Sequence, residues 1–224
     1  MRNFITSLVM FVSVISNAYA AGNGVYIDQI GNNSTVNVTQ TGSGNQLGNS
    51  TQSTALHGDS QTVTIDQVGM NNVANVSIDG AGTSVTSQVN GNNNNVNINC
   101  GVGGSCGNST LRANASGSGN SLSITSMGNS TSTIDVNGSN NQATISNTSG
   151  NLMGAQAGIT ILGDTNVVNV TQDGVAGING HSATVSVTGG ANNIAVSQGG
   201  TVDSTVNISS VGSGNTINVK SNHQ

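Results

Sequence analysis

Apolar and polar residues alternate strictly between Val25 and Gln40. Val25 and Ile27 share a face and Gln29 follows, then Val36 and Val38 share a face and Gln40 follows. A period of two predicts short half-buried strands, from Val25 to Gln29 and from Ser34 to Gln40, with Ile30-Gly-Asn-Asn33 turning between them. The pattern then returns along the chain. From Ser34 the apolar residues stand at +2 and +4, and the same spacing follows Asn72, Asn94, Asn120, Asn141, Asn166, Asn192 and Asn215. A companion series of first strands carries Val63/Ile65, Leu111/Ala113, Ala157/Ile159, Ala183/Val185 and Val206/Ile208. Each first strand closes five residues before the Asn in most units; in the third the closest fit is Ser87, seven before Asn94, which predicts a longer turn.

A unit of roughly 22 residues, made of two strands and two Gly/Asn turns, is a repeat architecture. It predicts an all-β chain: a β-solenoid of about eight two-stranded coils stacked about 4.8 Å apart, a rod roughly 38 Å long. The apolar pairs face inward. The leading asparagines then stand above one another, where stacked amides form a ladder, although each one alone is equally well explained as a turn former. The stretches from Thr41 to Ser60 and from Gly101 to Ser109 read as loop insertions, the first long enough for a degenerate ninth unit. A β-sandwich of short hairpins is the structural rival, disfavoured by the likeness of the units and the lack of large core aromatics.

Composition narrows the picture. Of 224 residues, 5% are charged and 2% aromatic; there are 32 glycines, no proline and no glutamate. Such a chain fills only a thin core, one or two rows of Val, Ile and Ala between strands. The many β-branched residues and the low charge argue against disorder. Met1-Arg-Asn3, an apolar run from Phe4 to Ile15 and Ala18-Tyr-Ala20 have the layout of a secretory signal peptide, which divides the chain into residues 1–20 and a repeat domain over 21–224. The run is too short for a membrane span. Export fits the two cysteines: Cys100 and Cys106 flank a Gly-rich loop able to close a disulfide.

The opening unit, Gln29-Ile-Gly-Asn-Asn-Ser34 followed by Val36-x-Val38-x-Gln40, resembles the curlin repeat of bacterial curli fibres. Gln29 and Gln40 match that repeat's two Gln places and Gly31 its Gly; Gln67 to Asn72 matches its first half, and Asn166 to Gln172 and Asn192 to Gln198 its second. Elsewhere Ile78, Cys100, Ser126, Asn147 and Ser221 take the second Gln place, and the lead from Ala21 to Gly24 is shorter than in curlin-like subunits. The resemblance implies a secreted amyloid-like fibre subunit of an extracellular matrix, active in adhesion and biofilm. Its partners would be further copies of itself, a nucleator, or an outer-membrane export factor.

Independently of any family, the strand edge of a regular last unit invites another copy to add, and low charge with Asn-rich strands is a cross-β composition. Asp28, Asp66 and Asp135 point outward, as gatekeepers or as ordinary solvated charges. A monomeric rod remains open as a stalk, a virion-associated spike or an ice-binding surface. Enzymatic chemistry is not expected, because the eight aspartates are scattered and His57, His181 and His223 read as surface residues near turns or the terminus. No cofactor, metal or nucleic-acid partner is expected of an acidic chain with three basic residues.

Overall fold

The computed structural model describes residues 11–16, 22–51, 53–101, 106–127, 130–148, 155–174 and 180–223. The early strands are β1 (Phe11–Ser16), β2 (Gly24–Val25), β3 (Ile27–Ile30), β4 (Thr35–Ser43), β5 (Gln46–Leu47) and β6 (Thr54–His57). A regular alternation follows. It runs through β7 (Thr62–Met70), β8 (Val73–Asp79), β9 (Ser84–Asn90), β10 (Asn95–Cys100), β11 (Thr110–Ser116), β12 (Ser121–Ser126) and β13 (Thr131–Asn137). It continues through β14 (Gln142–Asn147), β15 (Gln156–Leu162), β16 (Val167–Gln172), β17 (Ser182–Thr188), β18 (Asn193–Gly200), β19 (Thr205–Val211) and β20 (Thr216–His223).

From β7 onward, odd strands form one parallel sheet and even strands the other. The odd sheet begins at β1-β4 and the even sheet at β2 and β5, with β3 and β6 beside them. The chain is a β-solenoid, as its repeat predicts. Each coil contributes one strand to each sheet, and the inward residues of both meet in a core one coil thick. Val63, Ile98, Ile145, Ile159 and Val185 are fully buried there. One face of each sheet meets water, so the strands keep a clean alternation although the sheets are parallel.

Thin cores need volumes matched across a single layer. The hydrogen bonds show which ends face each other. Gln172 Nε2 donates to the carbonyl of Gln156 at 2.9 Å and Gln198 Nε2 to that of Ser182 at 2.9 Å, each beside an alanine, Ala157 and Ala183. Gln67 reaches the carbonyls of Gln46 and Asn72, on the level of Ala74. A long amide on one sheet is thus offset by a small residue on the other.

The phase of the opening hairpin differs from the pattern reading. β2 and β3 pair with β5 and β6, whereas β4 pairs with β7 in the other sheet. The strand after Ser34 therefore belongs with Val63 and Ile65, not with the strand after Asn72. Residues 41–60 are not a loop insertion: they hold the end of β4, then β5 and β6, and complete the first full coil. The third unit has no longer turn either, because Val89, five before Asn94, is the inward residue that closes β9. Apolar residues at the expected leader also join the sheet, since Phe11–Ser16 pairs in parallel with Thr35–Gln40.

One corner geometry explains the glycines. Before each strand β5, β8, β10 and onward the chain reads Gly-x-x-Asn, starting at Gly42, Gly69 and Gly91. The glycine has φ between 107° and 146°, and the residue just before Asn is left-handed with φ of 55–72°. A Cβ on Gly138 would stand 1.9 Å from the Gly163 carbonyl oxygen. Thr165 and Ala191 occupy the left-handed place without glycine's or asparagine's tolerance.

Three substitutions separate these causes in urea unfolding. Gly138→Ala should lower stability by about 3 kcal/mol or more, from clash and strain together. Gly158→Ala, on a strand with no neighbouring atom within 4 Å of the added carbon, should be neutral or slightly stabilising. Thr165→Asn should stabilise by about 1 kcal/mol.

Candidate functional site

The corner asparagines form one column: Asn45, Asn72, Asn94, Asn120, Asn141, Asn166, Asn192 and Asn215. Seven steps of 21 to 27 residues separate the first from the last. From Asn72 to Asn192, each side-chain Nδ2 donates to the Oδ1 of the preceding Asn at 2.9–3.1 Å. The same Oδ1 accepts the backbone N–H of the next Asn at 2.9–3.1 Å. The second amide proton goes to the glycine carbonyl of the following corner, as from Asn120 to Gly138 at 2.8 Å. Every interior side chain is 0–1% exposed. Burial without partners would cost each amide several bonds' worth of solvation, and the column removes that cost.

Asn45 is absent from the sequence reading, which treated its surroundings as a loop. The signal was present: glycine stands three residues before every Asn of the column, and Gly42-Ser-Gly-Asn45 fits it. Ser34 belongs to the opposite corner, which has the same geometry and so the same +2, +4 pattern after it. There Ser34 Oγ accepts the N–H of Gln61 at 3.2 Å, and Gln61 donates to the Gly80 carbonyl at 2.8 Å.

The glutamines do not make one ladder. Gln40 Nε2 donates to Gln67 Oε1 at 2.8 Å in the odd sheet, and Gln172 Nε2 to Gln198 Oε1 at 2.9 Å in the even sheet. Gln29 lies in β3 of the even sheet, and its amide makes no hydrogen bond among the described residues. Between the two pairs the same places hold Ile78, Val89, Cys100, Ala115, Ser126, Val136, Asn147 and Ile161, all buried.

The interior coils and the last coil differ. Val206 and Ile208 of β19 keep 9% and 8% exposure, and inward Ile217 and Val219 of β20 are only partly buried. Asn215 turns its Nδ2 back to Ser210 Oγ at 3.1 Å, with no further Gly-x-x-Asn corner after it among the described residues. At the other end Asn23 Oδ1 accepts the N–H of Asn45 at 2.9 Å, and its Nδ2 donates to the Gly42 carbonyl at 3.2 Å. The column therefore has a direction along its axis: each Oδ1 accepts only from the following coil, while each interior Nδ2 donates both to the preceding Asn and to the following corner.

Of the remaining candidates, Cys100 and Cys106 are joined in a disulfide and buried. His181 corrects the surface reading: it is 1% exposed, with Nδ1 2.9 Å from Ser204 Oγ. Gln198 Nε2 donates to that same Oγ at 3.1 Å, leaving the hydroxyl proton for Nδ1. Both members of the pair are closed off from solvent, so this is a core contact without access for a substrate. His57 is half-buried in β6, and the side chain of His223 lies outside the described residues. Among the described residues no three His, Cys, Asp or Glu side chains converge as a metal site, and no helix is long and apolar enough to cross a membrane. No protein-family model, curated protein or solved structure matches the chain.

Removing one interior amide breaks bonds on both sides. Asn120→Ala should cost about 3 kcal/mol, because it strands the buried N–H of Asn141. Asn215→Ala, at the end of the column, should cost about 1 kcal/mol or less. Equal losses in denaturant titration would contradict a continuous column.

Proposed function

We propose that the protein is a secreted structural subunit that stacks axially with its own copies into curli-like fibres of an extracellular matrix, serving adhesion and biofilm formation. The observation that carries this reading is the contrast between the sealed interior coils and the last coil. β19 and β20 have no strand on their outer side among the described residues, and their inward apolar residues are less covered than those of the interior coils. A coil of a second copy would satisfy the edge backbone groups and bury Ile217 and Val219 as deeply as Ile194 and Val196.

Sequence and geometry support the same reading. The apolar leader and the disulfide fit an exported protein. Net charge is low, so stacked copies repel each other weakly. The outward column Thr64, Thr86, Arg112, Thr133, Gly158 interrupts any regular threonine array, so an ice-binding face is less well supported than self-association.

Purified protein at neutral pH should form thioflavin-binding fibres after a lag that preformed fibres abolish. Ile217→Lys tests the axial contact itself. At a solvated end the lysine stem lies along the coil and its ammonium reaches water, but a stacked coil would bury the charge. Its folding should be retained by circular dichroism while seeded growth slows at least ten-fold. Growth at the parent rate would refute axial stacking through this end, and a parent protein that stays monomeric at high concentration would refute the fibre reading.

A further inference from the structure

Because the strands pair in register, outward residues stand in columns with one member per coil. On the odd sheet the column through Asp66 continues as Gln88, Asn114, Asp135 and Thr160. A second column, two residues further along each strand, begins at Val68 and reaches Leu162. A trough of about 390 Å³ runs between them. Its floor is backbone, since Val89, Ala115, Val136 and Ile161 point their side chains into the core. Outside the trough, from β4 onward, the first column holds the short hydroxyl residues Thr39, Ser186 and Ser209. The long carboxylate and amide side chains are confined to the stretch that is concave.

We infer that this trough binds a neutral, hydroxyl-rich glycan chain along the solenoid axis. Asp135 is already engaged: Arg112 Nη2 lies 2.9 Å from its carboxylate and Asn114 Nδ2 donates to the same oxygen at 2.9 Å. That network fixes the part of the same column beyond Gln88 and neutralises its charge. Asp66 and the side chain of Gln88 hold no partner among the described residues. They offer an acceptor and a donor-acceptor pair at successive coils, matched to sugar hydroxyls that both donate and accept. Val68 and Leu162, 36% and 48% exposed, give apolar surface for ring C–H faces at the two ends. The five coils extend about 19 Å, room for several sugar rings.

The competing occupants fit less well. An acidic polymer meets eight aspartates against three basic residues. A peptide strand needs free backbone groups, and those of the trough are used in the sheet. A single cation finds one free carboxylate. The inference does not rest on fibre formation, because the trough runs along the side of the rod and is open whether or not its ends are stacked.

The test is binding of the purified full chain to neutral glucose- and galactose-based hexasaccharides, with uronic-acid hexasaccharides beside them, by calorimetry or a glycan array. At least one neutral probe should bind, in the presence of a chelator, and the double variant Asp66→Ala/Gln88→Ala should weaken it at least ten-fold with unchanged circular dichroism. Neither side chain supports the fold, so this variant is expected to fold. Absence of binding by every neutral probe, binding that the variant leaves intact, preference for uronic acids, or dependence on a divalent cation would each overturn the assignment.

Discussion

At every corner the backbone must reverse within four residues and leave its peptide groups aligned with the coils on both sides. This constraint fixes more of the molecule than the core does. At the Gly-x-x-Asn corners the glycine lets the corner carbonyls approach at the stacking distance and the short amide three residues later bonds the corners before and after it, whereas the opposite corners use residues such as Ser34 and Gln61. Gly-x-x-Asn is therefore one device, in which the glycine makes the close approach and the asparagine ties it down. Where a coil departs from the device, as at Thr165 and Ala191, the departure falls on the middle of the corner and leaves the glycine and asparagine intact.

The core follows from that frame. With coils about 4.8 Å apart, each layer holds a handful of inward side chains, and a large residue on one sheet requires a small one opposite. Ala157 under Gln172 and Ala183 under Gln198 are such pairs, and Asn147 donating to Ser132 Oγ at 3.2 Å is their polar counterpart. Glutamine is thus one solution to a volume requirement. The corner asparagines recur in every coil, whereas the hydrogen-bonded glutamine pairs stand only toward the two ends of the rod.

The fold was legible in the sequence because period-two alternation and the Asn spacing are both local. The phase of the first coil was not. Ser34 and Asn72 lead the same +2, +4 pattern, and the two corners of a coil share one geometry, so only cross-strand pairing distinguishes them. That ambiguity hid Asn45, whose strand is split into Gln46–Leu47 and Thr54–His57 and loses its visible alternation. The burial of His181 was equally illegible, since it depends on Ser204 and Gln198 arriving from the next coil. The trough is further from sequence still: Asp66, Gln88 and Asn114 become neighbours only through register.

On the proposed reading the rod's sides and ends would have separate uses. The sides carry the outward columns, with the trough among them. The ends carry an amide column whose Oδ1 acceptors all face the following coil, so a second copy in the same orientation would continue it. Cryo-electron microscopy of fibres grown from the purified protein tests this most directly. The account predicts subunits in one orientation along the fibre axis, a 4.8 Å spacing unbroken across each boundary, and the Asn215 amide of one copy opposed to Asn23 of the next. Fibres whose strands are refolded into another arrangement, or subunits joined side to side, would contradict it.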